Sequence, residues 1–306
     1  MSQRLAGVFA RRIPGSPRPR LGPPRVRHFG LVTRDGGSAV ATWLHPPPIP
    51  REHGAWAMLV IPLVLGVAAA GALERSSLWA AAAMVLLFLA RGASVPAGAR
   101  FVGRRPLPAG YLPRRLVWTG IYTSGAGTCF AAALAGVTPA ARETVVLSAV
   151  LPLGLGIVHS VLGLAGRDRS IVGEVIGMAG LASAAPLIVA ASGGRLDRQA
   201  VGAGAFALLY FVSSLAFVRA FRGIKESGRL EALPCLVAHA GIGVGLVALY
   251  GLGFVPATAL AAFVPVAVRT AWGLSRPPPN LKVLGWREVA VAGIFLVVAA
   301  AGFFVP

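Results

Sequence analysis

Runs of about 20 uncharged, mainly apolar residues recur from residue 54 to residue 305, and nearly all the charge is confined to the short loops between them. In hydrocarbon a backbone must satisfy its own hydrogen bonds, so such runs can only be helices or strands of a closed barrel. Runs this long and this continuous in Leu, Ala, Val and Gly read as helices. The expected fold is therefore all-α, a polytopic transmembrane bundle. Nine spans are expected, at 54–73, 76–92, 116–137, 144–165, 171–192, 200–221, 232–251, 253–272 and 288–305. The second is short. The seventh and eighth are parted only by Gly251-Leu-Gly-Phe-Val-Pro256, which carries no charge and turns because Gly and Pro break a helix there.

Composition removes the rival classes. The chain of 306 residues is 56% hydrophobic and 13% charged, with a mean hydropathy of +0.74. That excludes a soluble enzyme, a secreted disulfide scaffold and a disordered chain. The net charge of +19 raises nucleic acid as a partner. A nucleic-acid binder, however, carries its basic face around a modest core, and here apolar blocks alternate with Arg-rich loops. No nucleic-acid partner is expected; the partner is the lipid bilayer. Cys129 and Cys235 both lie in apolar blocks and read as small hydrophobes rather than a disulfide or metal pair. Residues 1–50 are Arg- and Pro-rich, without the apolar core of a signal peptide, and read as a disordered basic cytoplasmic tail ahead of a membrane domain at 51–306.

The loops orient the bundle. With the N-terminus in the cytoplasm, the inner side holds nine Lys and Arg up to Arg51, six in 91–115, two in 167–169, four in 219–229 and four in 269–287. The outer side holds only Arg75, Arg142, Arg195 and Arg198. A bias of this size predicts N-in and C-out, with an odd number of spans.

Ionisable groups within spans are costly and mark candidate sites. Glu52 and His53 open the first span, His159 lies about 10 Å into the fourth, Glu174 about one turn into the fifth, and His239 about 10 Å into the seventh. All fall in the cytoplasmic half, which suggests a polar cavity open to that side. A buried polar network or a helix–helix hydrogen bond would place His159, Glu174 and His239 there equally well. Arg219, Arg269 and Glu288 read as interfacial side chains. Glu174 is the sharpest candidate. Arg167 and Asp168 precede it in a short loop, and Arg167, seven residues away, would share its face on a continuous helix. Gly173, Gly177 and Gly180 would let a neighbouring helix approach closely, so the fifth span is expected at the centre of the bundle. No metal-ligand spacing, nucleophile triad or P-loop is present, and no cofactor is expected.

Arg51-Glu-His-Gly-Ala-Trp-Ala-Met58 followed by Leu-Val-Ile-Pro62 resembles the opening of the YwiC-like family of bacterial integral membrane proteins, which have no established function. Gly173-Glu174 with Gly177-Met-Ala-Gly180, Phe217-Val-Arg219 and Leu284-Gly-Trp-Arg-Glu288 fit the same resemblance, over about 51–305. It implies a multi-pass protein of the bacterial cytoplasmic membrane. The nine-span layout, with Arg105-Pro-Leu-Pro-Ala-Gly110 in the loop after the second span, also resembles the UbiA superfamily of membrane prenyltransferases. That superfamily holds Mg²⁺ and diphosphate on an Asp-rich motif shortly before this stretch. The equivalent residues here, 88–100, contain no Asp, and Asp168 with Glu174 is the most that remains of a second motif.

Three functions stay open at this point. The first is a protein that binds or moves a small or lipid-like ligand through a cytoplasm-facing polar cavity, with Glu52, His53, His159, Arg167, Asp168, Glu174 and His239 as candidate contacts. Pro62, Pro152, Pro186 and Pro265 are places where its spans could bend. The second is a UbiA-like transferase acting on a prenyl or other lipid, with Arg91, Arg100, Arg104 and Arg105 holding an anionic head group. The third is an accessory subunit of a membrane complex.

Overall fold

The computed structural model describes residues 47–50, 53–101, 111–227, 232–276 and 280–305. The basic tail up to residue 46, Glu52, Arg104 and Arg105 lie outside the described residues, as do the side chains of His53 and Arg100.

Among the described residues the chain is helical and contains no strand. The helices are α1 (His53–Ala70), α2 (Arg75–Phe101), α3 (Tyr111–Gly136), α4 (Pro139–Leu164), α5 (Ile171–Ala182), α6 (Ala184–Gly193), α7 (Arg198–Ser227), α8 (Ala232–Gly251), α9 (Ala257–Leu260), α10 (Phe263–Ser275) and α11 (Leu281–Phe304). Each expected span coincides with one helical run, once α5 is joined to α6 and α9 to α10. Seven runs are long and apolar enough to cross a membrane by length and composition. The other two are α1, apolar but shorter, and α3, which opens on Tyr111, Arg114 and Arg115 and carries several Thr, Ser and Gly residues. The second span is not short. It runs for 27 residues through Pro96, because the charge of Arg91 is met by partners inside the bundle and does not end the helix.

Two of the four prolines expected to bend spans do break them. Pro186 and Pro265 each occupy the third position of a new helix, α6 and α10. A proline has no N–H for the carbonyl four residues earlier, and its ring crowds that carbonyl. The carbonyls concerned are those of Ala182 and Ala261, and the breaks fall at Ser183 and at Ala261–Ala262. The Ser183 hydroxyl closes the first break by donating to the Gly180 carbonyl at 2.8 Å. Pro62 and Pro152 lie inside unbroken helices.

The fifth span is the most enclosed of the seven, as its glycines suggest, with 61% of its apolar window buried. Leu187 to Ala191 on α6 are all buried. An aromatic layer holds α7, α10 and α11 together: Tyr210 stacks on Phe295 at 4.0 Å, and Phe206 packs against Phe263 and Phe295 at 5.0 and 5.5 Å. Such pairs add about 0.5–1.5 kcal/mol beyond the area they bury. One turn before Phe206, Gly202 abuts the Phe254 carbonyl so closely that a Cβ would lie 1.9 Å from its oxygen. Gly302 on α11 abuts the backbone of α9 in the same manner, and Thr258 Oγ1 donates to the Gly302 carbonyl at 2.8 Å. By contrast α8 presents Val237, Val244 and Val247 outward, each more than 60% exposed. In a bilayer that is a lipid-facing surface.

Candidate functional site

The helices that end with α2, α4, α7 and α10 and those that begin with α3, α5, α8 and α11 meet at one end of the bundle. Among the described residues, three polar clusters there take in Arg91, His159, Asp168, Glu174 and His239 of the expected residues.

The largest joins α7, α8, α10 and α11. Arg269 lies about 9 Å before the end of α10, and Glu288 and His239 lie about 10 Å past the starts of α11 and α8. Arg269 Nη1 donates to both carboxylate oxygens of Glu288, at 3.0 and 2.9 Å. Its Nη2 donates to Ser213 Oγ at 2.9 Å. The Ser214 hydroxyl donates to Glu288 Oε2 at 2.9 Å. Ser213 Oγ and Thr270 Oγ1 both sit 2.9 Å from His239 Nε2. The Arg269 guanidinium stacks 4.2 Å over the Phe217 ring. The Arg269 side chain is 5% exposed and that of Glu288 15%. A charge pair in this position is not interfacial, as the sequence suggested for both residues. Paired hydrogen bonds and two serines offset part of its desolvation, while the buried Arg269 Nε has no hydrogen-bond partner.

The second cluster joins α2 to α4. Arg91 Nη2 lies 3.1 Å from His159 Nε2 and 3.8 Å from Asp168 Oδ2. An arginine can only donate, so His159 Nε2 accepts and the neutral ring carries its hydrogen on Nδ1. The ring lies against Gly177 of α5, where a Cβ would come within 2.4 Å of Cε1.

The third joins α5 to α7. Arg219 grips Glu174 through Nε at 3.0 Å and Nη2 at 2.6 Å, and Nη2 also donates to the Arg169 carbonyl at 3.2 Å. Arg219 is thus a partner of the carboxylate rather than an interfacial side chain. Arg167 is not that partner, because α5 begins only at Ile171, capped by the Ser170 hydroxyl accepting from the Gly173 N–H at 3.1 Å. Arg167 stands exposed ahead of the helix.

His159, Glu174 and His239 therefore share one end of the bundle but bond to different partners. Two surface clefts among the described residues, of about 490 and 440 Å³, are lined by Val268, Trp272 and Arg276 and by Trp56, Val60 and Leu296 with their neighbours, and do not include any of the three. Among the described residues, no three His, Cys, Asp or Glu side chains are grouped to hold a metal ion.

Arg269, Glu288, Ser213, Ser214 and Thr270 are the residues a reading by single spans passes over. The available signal was positional: Arg269 and Glu288 stand at matching depths on either side of one short loop, and a Ser-Ser pair interrupts the apolar run of α7.

No curated protein and no solved structure matches the chain. The resemblance read over 51–305 is matched over its first part, which includes Arg91, His159, Asp168 and Glu174 but not Arg219, His239, Arg269 or Glu288. Residues 49–189, from the first span into the buried half of the fifth, match the family model described as YwiC-like protein.

Proposed function

We propose that this multi-pass protein resides in the bacterial cytoplasmic membrane, N-terminus inside, and binds or moves a small or lipid-like ligand from the cytoplasmic side without making or breaking bonds. The observation that supports this reading is the buried Arg269–Glu288 pair, held across four helices on an α10 that follows a break in its span. An ion pair inside a bundle is expensive and tends to mark a substrate or ion path. Discontinuous spans are where such paths run in transporters. A ligand bearing a carboxylate or phosphate could exchange with Glu288 on the Arg269 fork, which is shaped for either group. Glu174 and His159 would line the cytoplasmic approach.

Ligand retention tests the proposal. The full chain, purified in mild detergent, is extracted and its small molecules and lipids are compared by mass spectrometry across variants. Wild type and Glu74→Gln, on the opposite side, should carry the same enriched species. Arg269→Met/Glu288→Leu should lose it, and Glu174→Gln should retain severalfold less. Indistinguishable profiles from wild type and the double variant would remove the reading.

A further inference from the structure

We propose that His239 is an exchangeable proton site within the membrane, held between two hydroxyls that favour opposite protonation states. The ligand concerned is a proton, so the inference goes beyond the proposed function and stands whether or not an organic ligand is found.

Hydrogen-bond accounting leads there. His239 Nδ1 lies 2.8 Å from the Cys235 carbonyl of its own helix. A carbonyl only accepts, so Nδ1 carries a hydrogen in either state of the ring. Everything then turns on Nε2, which faces two hydroxyls at 2.9 Å. Thr270 has its hydrogen committed, because Oγ1 donates to the Val266 carbonyl at 2.9 Å. It therefore presents lone pairs to Nε2 and can only accept. Ser213 is the reverse: its oxygen already accepts from Arg269 Nη2 at 2.9 Å, and its own hydrogen is available for Nε2.

With a neutral ring, Ser213 donates to Nε2, while the lone pairs of Thr270 and Nε2 confront each other. When a proton from cytoplasmic water binds Nε2, one N–H bond forms and none breaks. That N–H donates to Thr270, and the Ser213 hydrogen turns back onto its own helix, as helical serines commonly do. The neutral state leaves Thr270 lone pairs facing Nε2, and the charged state costs Ser213 its bond to Nε2, so neither is locked in.

The charges facing His239 permit the exchange. From α10 comes the Arg269 guanidinium, reached through Ser213, and from α11 the Glu288 carboxylate that holds it in a bidentate pair. Together they are neutral, so an added charge on the imidazole does not meet an uncompensated cation. From α7 come the hydroxyls of Ser213 and Ser214, and from α8 itself the buried Cys235 thiol, 3.6 Å from Nδ1. The ring is half-buried rather than sealed.

The test is a nitrogen-15 NMR titration of histidine-labelled full chain in lipid nanodiscs. Of the five histidines, His239 is assigned by the signals missing in His239→Asn. Should that variant not fold, replacing the other four by Asn gives the same assignment. At alkaline pH the His239 signals should show one N–H, on Nδ1. On acidification, down to the lowest pH at which the chain stays folded, they should convert to the two N–H groups of imidazolium. Thr270→Val, which removes the waiting acceptor, should move the conversion to lower pH by about one unit, a tenfold weaker proton affinity. Ser213→Ala, which removes the donor to the neutral ring, should move it to higher pH. A purely structural histidine would stay in one state throughout, and that result overturns the proposal. So would variants that shift the conversion in the same direction. If neither variant can be purified, the wild-type titration alone decides.

Discussion

Glu288→Ala should remove most of the folded protein from a detergent extract, and Arg269→Met/Glu288→Leu should restore it. The single change leaves the Arg269 guanidinium, 95% buried by its 5% exposure, without its carboxylate. Removing one partner of a buried pair typically costs about 3–5 kcal/mol, whereas replacing both by apolar side chains of similar volume is often neutral. Met at 269 can keep the contact with Phe217. Ser214 loses its acceptor in the double variant, but a helical serine can turn to a carbonyl of its own helix. Fluorescence-detected size-exclusion chromatography with a heating step reads both outcomes. Equal recovery of wild type and Glu288→Ala would mean that the pair is solvated and not held as described.

The second large effect is expected at Gly202. Its Cβ position lies 1.9 Å from the Phe254 oxygen and 2.7 Å from the carbonyl carbon, both backbone atoms that cannot swing aside. Gly202→Ala must push the start of α7 away from the chain at Phe254, and overpacking of this kind costs about 1–3 kcal/mol. Gly127→Ala on α3 is the control, because nothing lies within 4 Å of its Cβ position. There the substitution should be neutral or slightly stabilising, since Ala is the better helix former by about 1 kcal/mol. Thermal unfolding midpoints in one detergent compare the two, and a Gly202→Ala midpoint at or above that of Gly127→Ala would contradict the packing.

Much of the fold was legible because the rules that govern it are one-dimensional. Length and apolarity place a helix wherever backbone must cross hydrocarbon, and all nine expected spans meet helical runs. The breaks at Ser183 and Ala261–Ala262 were half legible: proline marks a possible break, but the sequence of a single span does not separate Pro186 from Pro152. The helical reach to Phe101 was hidden because Arg91 reads as a boundary until its partners on α4 and the loop after it are known. The site was legible residue by residue and illegible as a set. His159, Glu174 and His239 stood out as ionisable groups inside spans. Which partner each takes depends on how the helices meet, so Arg219 rather than Arg167 holds Glu174. For the same reason Arg269 and Glu288, which look like ordinary interfacial side chains, are the most deeply held charges of the three clusters.

With these clusters at the cytoplasmic end of the bundle, the cytoplasm supplies both the ligand and the proton. A paired reporter fused after Pro306, with one half active only outside the cytoplasm and the other only inside, tests that orientation directly. Nine spans starting inside should give outside activity at Pro306 and inside activity when the same pair is placed after Ser275. Cytoplasmic activity at Pro306 would contradict the orientation and turn the Arg269–Glu288 site to the opposite side of the membrane.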